Sequence, residues 1–215
     1  HLGKNYYKCN ELGIPKVVFI GKEDTSPSQT TVDTADFVTQ QNQHYRETRA
    51  ILAALLKQTD DINYKDEKTY SFINGDEKIA LHTLFSLTNH YHCAYKESKK
   101  VHGLPSTDTM WENCCNVVKK ELEILKPDIF IIQAGWSLKN NAIEHIQKYF
   151  DGEKYSVEKD LNISALYWLK DKNDNSVKCC IIGTSHPSYP GSYNANYRTL
   201  LKERILCASN WFYIK

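Results

Sequence analysis

Residues 16–24 read KVVFIGKED. Four apolar residues, Val17 to Ile20, run without a polar break, and charge begins directly after Gly21. A short, β-branched run of this kind, closed by glycine, is the signature of a strand covered on both faces. The pattern recurs as LFSLTN at 84–89, IFIIQA at 129–134 and KCCIIG at 178–183, with residues 164–169 as a further strand candidate. Helical spacing lies between these runs. Residues 45–58 place Ile51, Leu52, Leu55 and Leu56 on one face. A second helix opens near Thr107 or Asp108, both good caps, and buries Trp111, Cys114 or Cys115, Val118, Leu122 and Leu125. Lys126-Pro127 stops it, because proline cannot continue the backbone ladder. Further helices are expected over 137–149 and from about Asn196 to Trp211. The polar stretch 59–78 reads as loop. Strand and helix alternate, which predicts an α/β fold: a three-layer α/β/α sandwich around a mostly parallel sheet of about four strands.

Length and composition bound the rest. The 215 residues suit a single domain, 1–215, in which 1–15 form an N-terminal extension. The opening His1-Leu2-Gly3 reads as a cloning remnant. Hydrophobic residues make up 41% and charged residues 25%, the balance of a globular protein, and no apolar run approaches a membrane span. The net charge is only +1, so binding to nucleic acid requires a local basic patch. Seven cysteines do not make a disulfide scaffold: two pairs are adjacent in sequence, and Cys179-Cys180 lies in an apolar run. That usage points to a reducing cytoplasm.

In a parallel sheet, right-handed crossovers bring successive carboxyl ends to one edge, where ligands bind. Three polar segments leave those ends: Lys22-Glu23-Asp24, Asn89-His90 and Ser185-His186. Gly21 permits close approach of a ligand, and Asn89 offers a donor and an acceptor, as reading a base edge requires. His186 can donate to a developing anion. A carboxylate, an amide and an imidazole around one cavity suit hydrolysis of an N-glycosidic bond, in which a base leaves as an anion and the sugar turns cationic. Each residue alone has a plainer meaning: His186 as a turn cap, Asn89 as a turn former, Glu23 and Asp24 as solvated loop. His90, His92 and Cys93 lack a further ligand at firm spacing, so zinc is not expected.

Taken in order, these segments resemble the uracil-DNA glycosylase superfamily, most closely its compact iron–sulfur-type branch. Gly21-Lys22-Glu23-Asp24-Thr25 stands at the first motif, and Leu87-Thr88-Asn89 with Cys93 is similar to the strand that ends in the base-reading Asn. Cys114 through Leu125-Lys126-Pro127-Asp128-Ile129 and Ala134-Gly135 match the next helix and strand, and His186-Pro187-Ser188 matches the second catalytic motif. The resemblance covers roughly 16–205. It implies a monofunctional DNA glycosylase that flips out a uracil-like or modified pyrimidine and leaves an abasic site, with water as the nucleophile and no cofactor.

It also implies roles. Asn89 would bind the base and His186 would face its oxygen. The acid falls at Glu23 or Asp24, since Lys22 holds the position the iron–sulfur branch uses. His44 or Tyr45 would stack on the base, and Thr25, small where the best-known branch has tyrosine, leaves room for a 5-substituent. Ser188, Tyr189, Pro190, Gly191, Ser192 and Tyr193 would fill the gap left by the flipped nucleotide. Lys96, Lys99 and Lys100 would contact phosphates. Cys9, Cys93 and Cys114 sit where three cluster ligands stand in that branch, but Tyr6 occupies the fourth place, so the set is incomplete. DNA is the expected partner of a monomeric protein. Rival readings are a glycosylase acting on hypermodified bases of foreign DNA in defence, a catalytically reduced DNA-binding member of the fold, and a hydrolase of free nucleosides.

Overall fold

The computed structural model describes residues 2–21, 43–57, 71–89, 108–133, 142–185 and 195–214, except for the side chains of 43–45, 89 and 108–112. The strands are β1 (Val17–Gly21), β2 (Ser71–Asn74), β3 (Glu77–Ala80), β4 (Phe85–Asn89), β5 (Ile129–Gln133), β6 (Tyr155–Lys159), β7 (Leu166–Asp171) and β8 (Val177–Gly183). The helices are α1 (Gln43–Leu55), α2 (Asp108–Leu125), α3 (Ala142–Gln147) and α4 (Ala195–Ile214). Six strands form one sheet in the order β4-β1-β5-β8-β7-β6, and β2 and β3 form a separate hairpin. The pairs β4–β1, β1–β5 and β5–β8 are parallel, whereas β7 runs antiparallel to β8 and β6 antiparallel to β7.

The unbroken apolar runs follow from what covers the sheet. Successive strand side chains point to opposite faces. Val17 and Phe19 enter one apolar cluster while Val18 and Ile20 enter the other. Ile129 and Ile131 divide from Phe130 and Ile132 in the same way, as Cys180 divides from Cys179. The first cluster takes Ile51, Leu52 and Leu55 of α1 and Leu201, Ile205 and Ala208 of α4. The second takes Val118, Leu122 and Leu125 of α2, with Ile146 of α3, Tyr149 and Phe150. A polar residue at either parity would therefore lose its water. Phe19 shows the scale: it is fully buried and meets Phe85 edge to face at 5.5 Å. Cutting such a ring back to alanine costs about 3–5 kcal/mol.

Several expectations need correction. The sheet has six strands rather than about four, because two antiparallel strands extend the parallel part. The region 59–78 is not all loop: β2 and β3 pair with Phe72 opposite Ile79 and turn at Gly75, whose φ of +59° suits glycine. β6 escaped notice because Val157 is its one buried residue. The helix expected over 137–149 spans Ala142–Gln147 within the described residues, and the chain then turns to bury Tyr149 and Phe150. α2 ends as expected, with Lys126 at φ +46° before Pro127.

The opening residues also belong to the fold. Leu2 bridges to Ser86 on the outer edge of β4, and Gly3 N–H donates to Phe85 O at 3.0 Å. A Cβ on Gly3 would lie 2.4 Å from Thr83 O, so only glycine lets the two backbones come this close. Tyr6 then donates its hydroxyl proton to Leu125 O at 3.2 Å, and the Lys16 amide donates to Asp128 Oδ2 at 3.0 Å.

Candidate active site

β1 holds the key position in the sheet. The chain leaves it for β4 on one side and later returns to place β5 on the other. α1, which follows β1, packs in one apolar cluster, and α2, which precedes β5, packs in the other. An open sheet is split at such a reversal, and the crevice lies beyond the carboxyl ends of the two strands. Register fixes what stands there. Gly21 is level with Asn89 of β4 and with Gln133 of β5. β8 follows alongside, with Thr184 N–H donating to Ile132 O at 2.9 Å. The ends of β4, β1, β5 and β8 thus share one edge.

Of the residues singled out in the sequence, Gly21 is the buried last residue of β1 and Asn89 the last residue of β4. His44 and Tyr45 fall in the first turn of α1. The side chains of Asn89, His44 and Tyr45 lie outside the described residues. So do Glu23, Asp24, Thr25, Cys93, Lys96, Lys99, Lys100, His186, Ser188, Tyr189, Pro190, Gly191, Ser192 and Tyr193 in full. Of the strands that precede or carry these residues, β1 and β4 are paired, and β8 lies beyond β5 in the same sheet.

Around these ends is a polar layer that sequence reasoning missed. Gln133 is fully buried, and its Nε2 donates to Thr48 Oγ1 of α1 at 3.2 Å. Thr88 Oγ1 donates to Glu121 Oε2 of α2 at 2.6 Å, which fixes the residue before Asn89. The Ser185 N–H donates to the Tyr197 hydroxyl at 2.8 Å. Arg204 sits behind them, 6% exposed, and donates to Gly183 O at 2.9 Å and to Ser164 O at 2.6 Å. Gly183 ends β8, and Ser164 lies just before β7. α4 therefore grips the end of β8 twice.

Glu47 is the most unusual member. It is 4% exposed, and its Oε1 is buried without a hydrogen-bond partner among the described residues. Burial pushes its carboxyl up to about 7, and the opposing pull of Arg198 is smaller. Tyr197 is raised as well, chiefly by burial and then by the Glu47 charge. Buried acids of this kind concentrate at functional sites. Glu47, Thr48 and Arg49 are all buried, although in sequence they only continue the polar start of α1 from Arg46. Gln133, by contrast, ends a wholly apolar run.

Of the three cysteines matched to cluster ligands, Cys9 and Cys114 are described and Cys93 is not. Cys9 is buried in one apolar cluster, its Sγ donates to Leu84 O at 3.3 Å, and burial pushes the thiol up to about 12. Cys114 is buried on α2, and Tyr6, at the fourth position, spends its hydroxyl on Leu125 O. No group of three metal-binding side chains occurs among the described residues. Nor is any described helix long and apolar enough to cross a membrane. The chain matches no known family's sequence profile and no curated protein.

Proposed function

We propose that this chain is a monofunctional DNA glycosylase built as a three-layer α/β/α sandwich. It binds a flipped uracil-like or modified pyrimidine beyond the ends of β1, β4 and β8 and hydrolyses its N-glycosidic bond. The observation that carries this reading is the register: Gly21 lies level with Asn89 and Gln133, and β8 ends beside them. In sequence the acid-bearing loop follows β1, Asn89 ends β4 and the His186 segment follows β8, which supports their meeting at one edge of one sheet. The two apolar clusters, each with helices from one side, support the layered architecture.

In this reading Asn89 pairs with the base, and Glu23 or Asp24 stabilises the cationic sugar and orients water. His186 donates to the oxygen on which the leaving base gathers charge. Preorganised donors of this kind do most of the work when charge develops away from bulk water. Thr25 leaves space beside C5 of the pyrimidine.

The test is an excision assay on oligonucleotides carrying uracil, 5-substituted uracils, modified cytosines and normal bases, in single and double strands, followed by alkali. Cleavage at one class of pyrimidine is expected. Tight binding to abasic DNA with no alkali-labile product points instead to a binding module. Release of base from free nucleosides alone removes DNA as the substrate.

A further inference from the structure

α1 and α4 pack side by side against one face of the sheet. Both helices follow strands that run toward its carboxyl edge, so both begin there and run back together. Their far ends agree with this alignment, with Ser209 Oγ donating to Leu55 O at 3.2 Å. Near the beginning of α4, the Tyr197 hydroxyl accepts the Ser185 amide proton at 2.8 Å. Near the beginning of α1, Glu47 is buried, its Oε1 has no hydrogen-bond partner among the described residues, and its charge acts on Tyr197. Ser185 is the last described residue of the β8 exit, two residues past the end of the strand.

We propose that Tyr197 is a positioning residue that fixes the peptide leaving β8, and that Glu47, buried on the helix packed against α4, sets by its protonation how firmly that peptide is held. The sign follows from linkage. Burial disfavours the charged carboxyl, so ionisation favours any opening that lets water reach Glu47. That opening separates α1 from α4 and takes Tyr197 away from Ser185. The charged and titratable groups acting on Glu47 among the described residues are Arg198 and Tyr197 of α4, with Arg46 and Arg49 flanking it on its own helix. Arg198 draws the carboxyl down but does not outweigh burial. The held peptide therefore loosens as pH rises through neutrality. This inference rests on the glycosylase reading only where activity is concerned, since its structural part stands without any substrate.

The experiment is amide hydrogen exchange at Ser185, corrected for the intrinsic pH dependence of exchange, in wild type, Tyr197→Phe and Glu47→Gln. Phenylalanine keeps the ring and removes the acceptor. At pH 6 its Ser185 protection should fall roughly tenfold, the size of one net hydrogen bond. In wild type, protection should fall roughly tenfold between pH 6 and pH 8, a series that requires no substitution. In Glu47→Gln this fall should vanish. Equal protection in wild type and Tyr197→Phe overturns the positioning role. Equal pH dependence in wild type and Glu47→Gln overturns the control by Glu47. With an oligonucleotide that is excised, Tyr197→Phe should lower kcat roughly tenfold and leave KM nearly unchanged, because a misplaced group costs rate more than binding. An unchanged kcat there overturns the link to the site. If no oligonucleotide is cut, the glycosylase reading fails and the exchange measurements still decide the positioning claim.

Discussion

At Glu47 the chain holds a carboxyl where water is scarce, and stability must respond to pH as a result. The group sits at 4.5 when exposed and at about 7 in the fold. A raised acid supports the folded state fully below 4.5 and loses that support as pH climbs to about 7. Complete loss amounts to on the order of 3 kcal/mol. Glu47→Gln should remove this slope, so that urea unfolding shows the variant gaining on wild type at each step from pH 5 to pH 8. A variant that follows the wild-type curve would mean the carboxyl reaches water. Under the proposed chemistry, His186→Ala and Asn89→Ala should each lower excision by roughly 10² or more, as loss of a donor to a developing anion does. Single-turnover assays on the preferred oligonucleotide check this.

Among the elements, the junction of the opening residues with β4 is the tightest. Gly3→Ala sets a Cβ 2.4 Å from a backbone oxygen that cannot move without disturbing β4. A loss of about 1–3 kcal/mol is expected, since overpacking against backbone cannot be relieved by a rotamer. The midpoint of thermal unfolding reads it. Burial also decides which elements could be read in advance. β1, β5 and the apolar part of β8 were legible because sheet faces covered on both sides demand apolar residues at every position. β2, β3 and β6 were not: each has a single buried residue, Phe72, Ile79 or Val157, and one residue makes no period. The hairpin did leave a trace in Asn74-Gly75-Asp76, a sequence of turn residues between paired positions. Arg204 was hidden differently. It occupies an inward position of α4, between Leu201 and Ala208, where a cation is expected to point to solvent. It is there to meet two backbone carbonyls beside β7 and β8, a need visible only once those strands are side by side.

For the molecule as a whole, a net charge of +1 leaves little general attraction for a polyanion. DNA binding must then rest on a few cations. Replacing Lys96, Lys99 and Lys100 together with alanine should flatten the salt dependence of binding by roughly 2–3 units of slope, about 0.9 for each phosphate no longer neutralised. Fluorescence titrations of a labelled duplex at several salt concentrations measure it, and an unchanged slope would move the DNA-binding surface elsewhere. Of the candidate site, the strand-end positions of Gly21 and Asn89 were legible, because the runs that carry them stop there. The polar layer beneath was not, because Glu47, Thr48 and Tyr197 reach the edge from helices.

The sheet also has an opposite end, where Lys16 is tied to Asp128, Tyr6 to Leu125 and Cys9 to Leu84. Exposed Lys8, Asn10 and Glu11 lie on this floor, a full strand length from the crevice. A dye, a bead or a surface tether attached there would leave the working side facing outward, so the architecture itself supplies a handle for immobilising the protein in single-molecule work.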